Sequence, residues 1–129
     1  MAGLSSSTEN QNPRSEDYPM QQPVVRVSIM RCAPEKFAEF QQMMIDVDSV
    51  LRPGIEAMLG LIGFYVGADE ATSSLSQVSF WKTLDDAKQL DTFQPMLDSG
   101  KTFAQKGATF ERPIMNYLTL WQLRGSAPQ

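Results

Sequence analysis

Gln77, Ser79 and Trp81 lie on one side of the run "QVSFW", residues 77–81, because side chains alternate across a strand with period two. A carboxamide, a hydroxyl and an indole on one strand face can act in two ways. They can wall a small-molecule cleft, the amide and hydroxyl bonding a ligand while the indole supplies an apolar surface. Alternatively they close on one another as core, the indole N–H taking a neighbouring oxygen. Arg26 and Ser28 share a face of an earlier run, "VVRVSIMR", residues 24–31. There a guanidinium would hold an acidic or phenolate group, or else form a cross-strand or interface salt bridge. Tyr65 and Tyr117, in two further strand-like runs, offer phenolic donors to a ligand or aromatic packing to the sheet.

Missing residue types narrow the chemistry further. The 129-residue chain contains no histidine and a single cysteine, Cys32. Histidine is the commonest general base near neutral pH and the commonest zinc and haem ligand. A His-based triad and a His-ligated metal are therefore excluded. Oxygen-only sites suit magnesium or calcium rather than zinc, and no structural metal is expected. A lone cysteine permits no intrachain disulfide, which makes a reducing compartment the default. Cys32 itself reads as a small core residue.

Eleven basic against fifteen acidic residues give a net charge of −4. That leaves too few cations for a phosphate-neutralising face, and no nucleic-acid partner is expected. No apolar run reaches membrane-spanning length and no signal-peptide pattern opens the sequence, so the expectation is a cytoplasmic protein without membrane contact. Gly60, Gly63 and Gly67 are followed by neither a P-loop lysine nor a Rossmann spacing. Asp85 and Asp86 read as charges at a helix start.

The elements that must position these side chains follow from periodicity. Residues 1–23 are rich in Ser, Gln, Asn, Glu and Pro without hydrophobic period, the pattern of a disordered segment. A single domain is expected over 24–123, with 124–129 as a short polar tail. Residues 24–31 form the first strand. Phe37, Phe40, Met44, Val47 and Leu51 then recur at helical spacing, with "RPG" at 52–54 expected to stop the helix and a short helical turn over 55–59. Residues 60–69 and 75–81 read as a hairpin. Thr83, three residues before Asp86, starts a helix in the manner of a capping box. A further helical piece over 96–106 ends at Gly107, and 114–123 reads as the last strand.

The order is βαββαβ, an α+β ferredoxin-like arrangement: a four-stranded antiparallel sheet with both helices on one face. One parity of the first strand is Val25, Val27 and Ile29, and one parity of the third includes Val78 and Phe80. The opposite parities carry Met30 and Trp81. A single layer of helices covers only one sheet face, so a sheet-to-sheet homodimer is expected to bury the other.

On "PEKFAEFQQMM" after the first strand, "PGIEAMLGLIGFYVG" entering the second and "VSFWKTLDDAKQL" at the end of the third, residues 24–123 resemble the antibiotic biosynthesis monooxygenase (ABM) domain family of the dimeric α/β-barrel superfamily. The resemblance implies two sheets closed into a barrel across a dimer, with a cleft between sheet and helices in each subunit. It implies a hydrophobic, aromatic-type ligand, and oxygenation without metal or flavin. The ring's own phenolate or enolate then supplies electrons to oxygen, and the protein binds, orients and desolvates it.

Such members carry an asparagine four residues before the third-strand tryptophan. The matching positions here are Gln77 and Trp81, which become the catalytic candidates, with Arg26, Ser28, Ser79, Tyr65 and Tyr117 as substrate-binding candidates. Glutamine keeps the amide on a side chain one methylene longer. The haem-degrading relatives use a histidine on the second helix, and "LDTFQPML" has none, so that route is excluded. The alternative function is a non-catalytic ligand-binding or stress-associated dimer of the same fold.

Overall fold

The computed structural model describes residues 22–125. Nearly all of the segment expected to be disordered, and most of the tail, therefore lie outside the described residues. The first strand, β1, is Val24–Arg31. Helices α1 (Phe37–Asp46) and α2 (Asp48–Glu56) follow, then β2 (Leu61–Asp69) and β3 (Ser74–Trp81). Next come the short α3 (Leu84–Ala87), a 3₁₀ turn at Lys88–Thr92, and α4 (Gln94–Gln105). The chain closes with β4 (Thr109–Phe110) and β5 (Met115–Leu118).

The strands form one antiparallel sheet ordered β2-β3-β1, with β4 and β5 both pairing the far side of β1. Taken together as one interrupted strand, β4 and β5 complete the ferredoxin-like order expected from the sequence. No helix among the described residues is long and apolar enough to cross a membrane.

Two elements differ from expectation. "RPG" does not stop the second helical segment: Pro53 lies inside α2, which runs on to Glu56, and the break falls earlier, at Val47. An internal proline costs a helix about 3 kcal/mol. Leu51 and Ile55, one turn apart on either side of it, are both buried in the core, and burying two such side chains returns roughly 1.5–3 kcal/mol each. Gly54 lets the ring of Phe93 approach the α2 backbone, where a Cβ would collide with it.

The last strand is also shorter than 114–123. Phe110 pairs with Met30 and Met115 with Val27, so four residues, 111–114, stand opposite two, Ser28 and Ile29. Pro113 has no N–H to give a ladder, and the extra residues form a bulge. Beyond Leu118 the paired part of β1 is exhausted at Val24, and the apolar side chains of Leu120, Trp121 and Leu123 are exposed.

Helix ends follow local chemistry. The Thr83 hydroxyl accepts the Asp86 N–H at 3.0 Å, which satisfies one orphan donor of α3. At the end of α4, the N–H of Gly107 reaches Ala104 and that of Ala108 reaches Phe103, the Schellman pattern, with Gly107 in the required left-handed region at φ 111°.

The register decides what faces the helices. Opposite one another on that face stand Val24, Trp81 and Leu61; then Arg26, Ser79 and Phe64; then Ser28, Gln77 and Val66; then Met30, Leu75 and Ala68. The two middle rows carry the polar side chains and the end rows are apolar. The core is correspondingly divided. One cluster gathers Val24, Trp81, Leu51, Ile55, Ala87 and Leu90, and the other Met30, Leu75, Phe37, Phe40, Phe103 and Ala108.

Candidate site: a cavity between sheet and helices

The polar rows of the sheet leave space between the two core clusters. A cavity of about 700 Å³ lies there, floored by Arg26, Ser28 and Gln77 and walled by apolar side chains that include Met30, Met44, Met96 and Phe103. Each floor residue is aimed by its parity: Arg26 and Ser28 are even-numbered positions on β1, and Gln77 is the residue directly across from Ser28 on β3. The bulge at 111–114 brings Arg112 and Ile114 to the same cavity. Arg112 stacks its guanidinium over the ring of Phe110, 5.1 Å from the centroid.

Arg26 is the dominant electrostatic feature. It is only 4 % exposed, and its Nη2 donates to Asp91 Oδ1 at 2.8 Å. The partner is not on a neighbouring strand: Asp91 comes from the 3₁₀ turn between α3 and α4 of the same chain. Burying a guanidinium requires such a partner. Its Nη1 is buried without a hydrogen-bond partner, as is Oδ1 of Asn116, the residue across from it on β5. Of these two only Arg26 lines the cavity, so the floor itself holds an unspent hydrogen-bond donor.

Gln77 spans the cavity. Its Nε2 donates to the Met44 thioether of α1 at 3.8 Å, a weak acceptor. Ser79 and Trp81, on the same face of β3, are sealed away from the cavity. Trp81 has no exposed surface and packs among Leu51, Ile55, Ala87 and Leu90. Its indole N–H donates to Ser79 Oγ at 2.8 Å, satisfying both groups inside the core. Of the two arrangements open to this trio, the indole and hydroxyl adopt the self-closed one, and Gln77 alone meets the cavity.

Tyr65 and Tyr117 do not join the others. Tyr65 pairs with Val78 and Tyr117 with Val25, which puts both on the sheet face turned away from the helices. The expectation grouped them with a cleft on the opposite side. Strand parity separates them from it. Tyr65 stacks edge-on against Phe80 there, with ring centroids 5.8 Å apart.

The residues the sequence reading missed are Asp91, Met96 and Phe103. They come from the α3 to α4 region, whose side-chain directions depend on where its 3₁₀ turn falls. The acidic Asp91 two residues before Phe93 in "LDTFQPML" was the available signal. Among the described residues no three His, Cys, Asp or Glu side chains gather as a metal site. Cys32 lies outside the cavity, its thiol donating to the Ser73 carbonyl at 3.6 Å. Burial pushes its pKa above the usual thiol value, and Glu35 adds to this while Lys36 opposes it.

The fold and its cavity thus define a ferredoxin-like α+β domain with a space between sheet and helices. No family model and no curated protein sequence matches the chain. Solved structures do. A proposed antibiotic biosynthesis monooxygenase from Deinococcus radiodurans superposes with a TM-score of 0.62 at 12 % identity, covering 81 % of this chain and 99 % of that one. One from Caulobacter crescentus gives 0.58 at 12 %, covering 79 % and 93 %. An Asn-to-Ala variant of SnoaB, a cofactor-independent oxygenase from Streptomyces nogalater, gives 0.57 at 15 %, covering 81 % and 99 %. The chain therefore has the ferredoxin-like fold of structures described as antibiotic biosynthesis monooxygenases.

Proposed function

We propose that this protein is a homodimer that binds an apolar, ring-bearing small molecule in the cavity between its sheet and helices. The observation that carries the reading is the composition of that cavity. Methionine, leucine and phenylalanine side chains make up much of its wall, Arg26, Ser28 and Gln77 supply polarity from β1 and β3, and Asp91, Lys101 and Arg112 bring charge to the lining. Small-molecule sites have this character: predominantly apolar linings with a few convergent polar groups, in volumes of about 300–1,000 Å³. Ring oxygens would bond Gln77, and Arg26 would favour a phenolate or enolate over its neutral form.

Dimerisation is supported by the opposite sheet face. Val25, Val27, Ile29, Val78 and Phe80 lie there with Tyr65 and Tyr117, and Tyr65 is 63 % exposed. A contiguous apolar face of this kind belongs in an interface. A second copy offers the same face to itself. Light scattering at micromolar concentration should report a dimer. A monomer would remove this part of the proposal.

A second reading, oxygenation of the bound ring without metal or flavin, is favoured by the likeness to SnoaB, described as a cofactor-independent oxygenase. A ring-flanked methylene would become a carbonyl, with one atom of O₂ entering the product and the other leaving as water. Against a general acid–base reaction stands Asp91, the carboxylate of this cavity, which is engaged by Arg26. Binding of anthrone-like and hydroquinone compounds by calorimetry, with oxygen uptake followed in parallel, separates the two readings. Binding with uptake that falls in Gln77→Ala supports oxygenation. Binding with no uptake leaves ligand capture as the function, and no binding refutes both.

A further inference from the structure

The cavity has a neighbour. A second space of about 650 Å³ runs beneath α1 and α2 along β2, bordered by Ile45, Phe64, Val66 and Ala68. Met44, Val47, Leu51, Leu75 and Gln77 line both spaces, so the two adjoin at one waist. The bridge across it is the Gln77 amide resting on the Met44 sulfur at 3.8 Å.

That contact is a poor one for both partners. A thioether is a weak acceptor, and a ligand carbonyl or oxyanion at the waist would make a much better bond to the same N–H. Methionine is unbranched, with three rotatable bonds, and can swing aside at little cost. The lobes also differ in character. The first has Arg26, Ser28 and Asp91. In the second the charged side chains, Asp48, Arg52 and Glu56, are all exposed at the rim, where Arg52 is paired with Asp48 at 2.8 Å and with Glu56 at 3.8 Å. A rim whose charges are already paired selects for nothing ionic.

We infer that the two lobes form one site for an elongated ligand: an oxygen-bearing ring in the first lobe, an acceptor oxygen at Gln77, and an apolar tail passing Met44 into the second. This rests on the reading that the cavity binds a small molecule, and extends it by assigning the second lobe and the role of the waist. Ligand length is then read by the Met44–Gln77 pair.

Alkyl 4-hydroxybenzoates from methyl to hexyl test this, because they carry a phenolic ring, a central carbonyl and a tail of graded length. In the wild-type protein, calorimetry should show affinity rising about fourfold per added methylene, the factor corresponding to ~0.8 kcal/mol per buried CH₂. Val66→Trp narrows the second lobe from an exposed position on β2, where an aromatic residue suits the strand. There the rise should stop after the shortest esters. Leu97→Trp, at an exposed position lining the first lobe, should weaken every ester by a similar factor and leave the slope intact. Unchanged thermal melting certifies that both variants are folded. A wild-type series that is flat beyond the first esters, or a Val66→Trp slope equal to wild type, overturns the two-lobed site while leaving the first cavity standing. Failure of every ester to bind overturns the cavity reading as well.

Discussion

Removing the carboxylate of Asp91 tests the electrostatic account of the cavity floor. Arg26 is almost wholly buried, whereas the Asp91 side chain is 50 % exposed, and the two meet at 2.8 Å. Truncating one partner of a fully buried pair costs about 3–5 kcal/mol, because the remaining charge is left uncompensated, while exposed pairs are worth at most about 1 kcal/mol. With one partner half in water, Asp91→Asn should fall between these limits, at about 2 kcal/mol. For a chain of this size, urea slopes of about 1–3 kcal/mol per molar turn that loss into a midpoint drop of roughly 1 M.

Arg26→Met is the discriminating partner experiment. It fills a similar volume without a charge, and replacing buried ionic groups by apolar ones is often neutral or stabilising. The single Arg26→Met variant should therefore unfold at or near the wild-type midpoint. The double variant should recover most of what Asp91→Asn loses. If Asp91→Asn leaves the midpoint unmoved, or if Arg26→Met costs as much as Asp91→Asn, the pair is not holding a buried cation and the reasoning fails.

Two further outcomes follow from the same physical reading. Ser79→Ala strands the indole N–H of Trp81 inside the core, and unsatisfied buried donors cost about 1–3 kcal/mol; thermal melting should fall accordingly, and an unchanged melting temperature would mean that the indole has another partner. Cys32 has a raised pKa because of burial, so its neutral thiol is the favoured form in the fold. The stability this contributes is complete below the unfolded-state pKa and is lost as pH rises through the folded one. Alkylation of the native protein near neutral pH should accordingly run well below the rate in denaturant and climb with alkaline pH. Equal rates in the two states would contradict the placement of Cys32.

Alternation made β1 and β3 readable, because each buries one face among helices and their period-two pattern survives. It also put Gln77 on one face with Ser79 and Trp81, while the side that face turns to was implied only by the family resemblance. What it did not convey was depth. Trp81 and Gln77 share a face, yet one is sealed beneath α2 and α3 and the other meets open space, a difference made by packing partners far away in sequence. Pro53 reads as a stop because its local cost is large, but the tertiary burial of Leu51 and Ile55 outweighs it. The last strand reads as continuous because "MNYLTLWQL" carries apolar or aromatic residues at most of its positions. Only the pairing with β1 reveals the bulge before it and the end of the ladder at Leu118. The cavity wall from α4 was illegible for a similar reason: the 3₁₀ turn after α3 sets the phase of Asp91 and Met96, and no sequence period announces it.

The most direct test of the central claim, that the space between sheet and helices is the binding site, uses methionines as reporters. Met30, Met44 and Met96 line the cavity, while Met115 lies on the opposite sheet face, across from Val27. With methyl-labelled methionine, titration of an alkyl 4-hydroxybenzoate should shift the Met30, Met44 and Met96 methyl signals in a saturable way, Met44 most of all, and leave Met115 in place. Saturable shifts confined to Met115, or no methyl shift at saturation, would contradict the claim.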